Sequence, residues 1–359
     1  MTPETRALLR ELSEAFGLPG AEEEVRAVMA RHLAPLAEIS YDRFGSLIAR
    51  KQGTQTEPRV MLPAHMDEVG LAVKQITDDG FLRFTTLGGW WSQVVVSQRW
   101  TVRTRTGDLP AFSGTRPPHL LTDEERNKPL AMKDMFLDIG ARNKDHAREL
   151  GVRPGDAVIP YSPFVEMAGG RLLGKAWDDR VGCALVIELV QELAKRDHPN
   201  TVFAVGTAQE ETGLHGAKTS AFAIQPQVAI VAEVTCASDV PGSTQDGTYC
   251  DLGKGPGLCL RDSGMIPNRR LRDLVTSVAE EAKLPLQYVT MERGTTDGTP
   301  IQVHGEGVPA VYLGVPTRYI HSHAGIIDET DFDQTVQLLV EVVMRLDGET
   351  VAGLTSFGT

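Results

Sequence analysis

Five stretches of the chain share one design, an apolar strand-like run that ends in a histidine or an acid. VMLPAHMDEVG delivers His65 and Asp67, and GKAWDDR delivers Asp178 and Asp179. AVGTAQEETGLHGA carries Glu210 and Glu211, VAIVAEVT carries Glu233, and GVPTRYIHSH carries His321 or His323. Ligand sites of open α/β sheets lie just beyond the carboxyl ends of the strands. Two imidazoles and three or more carboxylates brought together there make the donor set of a divalent transition-metal site. One ion would not use so many carboxylates, whereas two ions ~3.5–4 Å apart, sharing a bridging carboxylate, would. A lone Asp–Glu pair carries no such meaning; five coordinated occurrences do.

Spacing assigns some of the roles. His65 and Asp67 stand at i and i+2, on one side of an extended segment. Asp67 is therefore placed to accept the second ring N–H of His65 and fix its tautomer. Glu210 and Glu211 are consecutive, so their side chains diverge beyond a strand: one binds metal while its neighbour serves as general base. Gly174, Gly182, Gly213, Gly216, Gly294 and Gly298 read as turn or packing glycines. Trp90 and Trp91 read as packing aromatics, and His119 and His215 as supporting residues rather than ligands.

The elements that must position these residues are legible in outline. An opening helix has Thr2 as N-cap, Pro3 in its first turn, Leu8, Leu9, Leu12 and Phe16 as its apolar stripe, and Gly17 as its stop. A second helix is expected from about Glu22 to Leu36. Short β-rich runs such as WSQVVVSQRWTVRTRTG then alternate with turns and a Pro-rich stretch, with a small helix near Asn143 to Leu150. After Phe164 the chain settles into strand–helix alternation with continuous apolar strands, the pattern of an α/β sheet covered by helices on both faces. The β-rich segment interrupts that pattern. Residues 1–70 and 164–359 are thus expected to form a discontinuous α/β host and residues 71–163 an inserted β-rich domain.

Charge and composition narrow the partners. Lys and Arg number 36 against 48 Asp and Glu, a formal net charge of −12, which argues against nucleic acid as a general partner. No apolar run approaches the ~20 residues of a bilayer span, and the N-terminus lacks the basic and apolar regions of a signal peptide. Cys183, Cys236, Cys250 and Cys259 form no C-x-x-C and read as reduced thiols of a cytoplasmic protein.

With these residues assembled, the chain resembles the TET-type dinuclear metallo-aminopeptidases of metallopeptidase family 42, clan MH, which include glutamyl, deblocking and leucyl aminopeptidases. The matching segments are AHMDEVG, GKAWDDRVG, QEETGLHGA, VAEVTCASDVPG, GTTDGT and PTRYIHSH, in the family's order and spanning about Leu62 to His323. The resemblance implies a phosphorylase/hydrolase-like catalytic domain with a mixed sheet, and an inserted PDZ-like domain that mediates dimerisation. It implies that His65 and Glu233 hold one metal and Glu211 and His321 the other, with Asp178 bridging and Asp179 following across a cis peptide. Glu210 would be the general base, Asp67 a catalytic partner and Asp297 a substrate-binding residue. Two divalent ions, Zn²⁺ or Co²⁺ with Mn²⁺ as a third choice, would serve hydrolysis of N-terminal peptide bonds. Peptides would be the substrates, with no nucleic-acid or membrane partner, and dimers would assemble into a dodecamer. Three departures stand out: Glu233 replaces the usual Asp, Gly298 replaces an Ala, and His323 follows His321 closely. Glu233 keeps a rival reading in view, a related dinuclear amidohydrolase acting as an acyl-amino-acid deacylase or a carboxypeptidase.

Overall fold

The apolar runs become strands whose alternate residues enter two separate cores. The computed structural model describes residues 1–243 and 248–356. In chain order the first strands are β1 (Glu38–Tyr41), β2 (Leu47–Gln52) and β3 (Arg59–His65). Then come β4 (Gly70–Ile76), β5 (Leu82–Leu87), β6 (Arg99–Thr104), β7 (Gly107–Gly114), β8 (Phe136–Asp138) and β9 (Ala157–Pro160). The last group is β10 (Val165–Glu166), β11 (Arg171–Gly174), β12 (Thr201–Thr207), β13 (Val228–Cys236), β14 (Gly257–Arg261), β15 (Gln287–Thr290), β16 (Ala310–Arg318) and β17 (Gly325–Asp328).

The host sheet runs β1-β2-β12-β3-β13-β16-β17-β11-β10, with β14 and β15 attached beside β16. Its centre, β12-β3-β13-β16, is parallel and most of its flanks antiparallel, so the sheet is mixed. Because side chains alternate across a strand, Leu47, Leu62 and Ile230 point to one core and Ile48, Met61 and Val231 to the other. The first core is closed by helices Pro3–Glu14, Glu23–Leu33, Trp177–Leu193, Arg269–Ala282 and Glu329–Met344, the second by His215–Ile224 and Gly298–Gln302. Helices therefore cover both faces.

The strands β4 to β9 leave this sheet and close on themselves as a barrel, β4-β5-β8-β7-β6-β9. Its core is its own, with Leu71, Val73, Leu82, Trp100, Val102, Leu137 and Val158 buried together. A small cluster of Phe16, Leu18 and Ile159 joins barrel to host.

Two local expectations change. The opening helix stops at Glu14, with Ala15 extended (φ −58°, ψ 142°), so Phe16 lies outside it. Phe16 instead turns to the barrel, and its N–H donates to the Glu24 carboxylate at 2.9 Å. Ser92–Val95, read as part of a β run, is a single helical turn in which only Val95 is buried. β-branched preference is a weak prior that local packing overrides here.

The helix Trp177–Leu193 crosses β13 closely at Gly182. A Cβ on Gly182 would lie 2.3 Å from Asp179 Oδ2 and 2.4 Å from the Ala232 carbonyl oxygen. Gly182→Ala is expected to cost ~1–3 kcal/mol of overpacking, a Tm fall of roughly 1–4 °C in a thermal melt of a chain this long. An unchanged Tm would show that this approach is not tight.

Candidate metal centre

Parallel neighbours bring their carboxyl ends to one edge of the sheet, and the chemistry collects there. β3 ends on His65, which lies opposite Thr207 at the end of β12, and the loop after β12 carries Glu210 and Glu211. Glu233 lies in β13 opposite Gly314 of β16, and the turn after β16 carries His321. Asp178 and Asp179 open the helix Trp177–Leu193, joined by a cis peptide.

Two ligand sets result, His65–Asp178–Glu233 and Asp178–Glu211–His321, each with donor atoms within 4.8 Å of one another. His65 Nε2 lies 2.9 Å from Asp178 Oδ1 and 3.8 Å from Glu233 Oε1. His321 Nε2 lies 3.2 Å from Asp178 Oδ2 and 3.3 Å from Glu211 Oε1. The Glu233 side chain folds back so that its Oε1 also accepts the Val234 N–H at 3.1 Å. Asp179 is fully buried and accepts from the His65 N–H at 3.1 Å and the Gly182 N–H at 2.9 Å.

Buried carboxylates hold the loops that present these ligands. Asp67 takes the Glu210 N–H on Oδ1 at 2.9 Å and the Glu211 N–H on Oδ2 at 3.0 Å. Glu22 takes the preceding amide, Gln209 N–H, at 3.2 Å. Three consecutive amides are thus fixed, which is why the Glu210 and Glu211 side chains diverge. This revises the sequence expectation for Asp67. Its carboxylate stands 3.6 Å from His65 Nδ1, while the ring nitrogen bonds the Asp67 carbonyl oxygen at 3.0 Å. β3 ends at His65, so the i, i+2 alternation no longer applies at Asp67. The segment bearing Asp178 is tied by Lys175 and Arg180, which pair with the buried Glu68 at 2.5 and 3.2 Å and donate to main-chain carbonyls of residues 12–17.

Crowding leaves its mark on the titrations. Burial alone would push the His65 pKa down, yet Glu210, Glu233 and Asp178 carry it well above the ordinary imidazole value. For His321, burial is likewise overcome by Asp178 and Glu211, and the pKa is pushed up to about 12. Burial, with neighbouring carboxylates adding to it, raises Glu210 and Glu233 well above the usual carboxylate range and Glu211 above it. Asp178 goes the other way, because hydrogen bonds to both imidazoles outweigh its burial. Glu211 Oε1 is buried with no hydrogen-bond partner, aimed at the same space. Surplus negative potential, mixed N and O donors and an orphaned lone pair are what a pair of divalent cations would satisfy, so the residues fit the metal.

Beside the ligands opens a cleft of about 350 Å³, with Glu210 on its wall and Met291, Arg293, Gly294, Thr295, Thr296 and Ile320 opposite. Asp297 does not face it. It is 1% exposed, and its Oδ2 accepts the Thr207 hydroxyl at 2.5 Å, so the GTTDGT turn meets the cleft through Gly294, Thr295 and Thr296. His323 also turns away, its ring edge-on to Trp100 at 4.6 Å and Nε2 on the Arg99 carbonyl. His215 packs against Phe44 and His119 sits in the exposed Pro118–Leu120 turn, outside both ligand sets. Sequence reading missed Glu22, the Glu68–Lys175–Arg180 cluster and one main-chain group, the Gly89 carbonyl, which lies 2.7 Å from His321 Nδ1.

Comparison with known proteins defines the class. The M42 glutamyl aminopeptidase family matches residues 45–338, and the chain belongs to that family. A short second profile, AMPT, matches residues 4–29. The glutamyl aminopeptidase of Lactococcus lactis subsp. cremoris is 34% identical over 354 residues, covering 97% of this chain and 98% of that one. The TET aminopeptidase from a marine-sediment Thaumarchaeota archaeon superposes with a TM-score of 0.95 at 42% identity, covering 98% of this chain and 99% of that one. The Pyrococcus horikoshii TET1 peptidase, which can assemble into a tetrahedron or a large octahedral shell, gives a TM-score of 0.86 at 31% identity, covering 95% and 100%. The protein is accordingly an aminopeptidase, a hydrolase of peptide bonds in a metal-dependent family with the TET fold. Among the described residues no helix is long and apolar enough to cross a membrane.

Proposed function

We propose that the protein releases N-terminal residues from peptides at two divalent ions, one held by His65, Asp178 and Glu233 and the other by Asp178, Glu211 and His321. Asp178 carries this reading. Its Oδ1 faces His65 and its Oδ2 faces His321, at 2.9 and 3.2 Å, one oxygen for each imidazole–carboxylate set, as a bridging ligand requires. When bound, the ions would polarise the scissile carbonyl and acidify the attacking water. Glu210, in the cleft but in neither ligand set, takes the proton of that water and returns it to the leaving amine. Asp67 and Glu22 keep its loop in register while it does so. Buried Asp297, coupled to Glu210 by charge, backs this loop rather than touching substrate. Imidazole with carboxylate suits Zn²⁺ or Co²⁺, and the oxygen-rich set accommodates Mn²⁺.

The same reading takes residues 1–70 and 164–359 as the catalytic domain and the barrel within 71–163 as the dimerisation domain of a dodecamer. The self-contained barrel core and the shells formed by the Pyrococcus horikoshii peptidase support it. Four unpaired cysteines support a cytoplasmic location, and the net charge of −12 supports peptide rather than nucleic-acid substrates.

Chelation tests the chemistry. Stripping the metal is expected to lower hydrolysis of aminoacyl-p-nitroanilides by about 10³-fold or more, since the ions supply several kcal/mol of barrier lowering. Zn²⁺, Co²⁺ or Mn²⁺ should restore it, and N-acetylated substrates should be refused. Undiminished turnover by chain shown to be metal-free would refute the mechanism, and cleavage of blocked substrates would favour a deacylase.

A further inference from the structure

The two imidazoles of the metal centre are oriented from different domains. His65 is set from within the host, its Nδ1 on the Asp67 carbonyl at 3.0 Å in a fully buried position. His321 is 37% exposed and sits in a turn with φ +57°. What meets its Nδ1 is the Gly89 carbonyl oxygen, at 2.7 Å, delivered by the turn Gly88-Gly89-Trp90-Trp91 that follows β5 of the barrel.

That turn is built for close approach. Gly88 has φ +75°, and a Cβ there would lie 2.6 Å from Val69 Cγ1 and 3.0 Å from Glu211 Oε2. A Cβ on Gly89 would lie 3.2 Å from His321 Nδ1. Trp90 fastens the turn on its other side. Its indole N–H donates to the Gly70 carbonyl at 3.1 Å, and its ring packs on Trp100 at 5.4 Å between centroids. Trp100 is itself anchored in the barrel core, donating to Ser113 Oγ at 3.0 Å. A continuous chain of contacts therefore runs from barrel core to Trp90, to Gly89, to His321.

We propose that the Gly88–Trp91 turn of the inserted barrel is the positioning element of the second metal site alone. Trp90 sets the turn, and the Gly89 carbonyl holds Nδ1–H of His321 so that Nε2 faces Asp178 and Glu211. An acceptor on the distal ring nitrogen fixes tautomer and ring orientation, and losing such a partner typically costs ~10–100-fold in metal affinity. The proposal rests on the dinuclear reading above and adds that one half of the ion pair depends on the insertion while the other does not.

Calorimetric titration of the chelator-stripped full chain with Zn²⁺ tests it, with Co²⁺ absorption as a second readout. Wild type should take up two ions, and His321→Ala should mark the second site by losing one of them. Gly89→Ala, which presses on the His321 ring without touching the barrel core, and Trp90→Ala should both weaken that same ion ~10–100-fold and leave the other unchanged. Trp90→Phe, which keeps the ring packing and loses the indole N–H, should fall between them and wild type. Should Gly89→Ala bind both ions as wild type does, or lose both equally, the positioning role is overturned while the dinuclear reading stands. If wild type binds a single ion, or His321→Ala binds two, the dinuclear reading itself has failed.

Discussion

Glu210→Gln is expected to lower kcat by about 10²–10⁴-fold, the range a positioned proton-transfer group supplies, while leaving both ions bound. The substitution keeps the shape of the side chain and removes only its ability to take a proton. Glu210 belongs to neither ligand set, so metal content should not change. Its main-chain N–H is held by Asp67 at 2.9 Å, so the loop should keep its course whichever side chain it bears. Burial, reinforced by Asp297, Glu211 and Glu233, raises the Glu210 pKa in the metal-free chain, and two bound divalent ions would pull it back toward the ionised form that accepts a proton. Steady-state kinetics beside metal analysis checks the expectation. Near-normal kcat with two ions bound would remove Glu210 from the reaction, and loss of an ion would make it a ligand.

What the sequence discloses and what it hides divide along physical lines. Candidate ligands are legible because only a few residue types bind divalent ions, and because apolar runs mark the strands whose ends must carry them. The host sheet is legible for the same reason, since Val228–Cys236 and Ala310–Arg318 are largely apolar strands. Directions are not legible. Asp297 turns away from the cleft because its carboxylate meets Thr207, a residue 90 positions distant in sequence. Asp67 turns to the Glu210 loop because β3 has already ended, which no local spacing records. Gly89 leaves no trace at all, because a main-chain carbonyl acts there and every residue has one. His321 and His323 could not be separated by type; packing on Trp100 separates them.

Asp178→Asn should have the broadest effect, because Asp178 alone belongs to both ligand sets. The amide offers one oxygen and one NH₂ group where the carboxylate offers an oxygen to each imidazole. One ion must then face a donor, and the charge that offsets both is lost. Affinity for both ions is expected to fall, with activity down by about 10³-fold or more, the several kcal/mol that the ions supply. Stability supplies a separate readout. In metal-free chain the substitution removes a carboxylate whose pKa two imidazoles hold below the ordinary range and leaves both rings without their shared partner, so the variant should melt below wild type. Added metal should raise the wild-type Tm, since an ion at ~100 times its Kd contributes about 2.7 kcal/mol per site. The variant should show little of that rise. A His321→Ala chain, keeping the His65–Asp178–Glu233 set, should retain part of it, so graded metal responses would distinguish a shared ligand from a single-site one. An Asp178→Asn chain that binds two ions as tightly as wild type would show that the carboxylate does not bridge them.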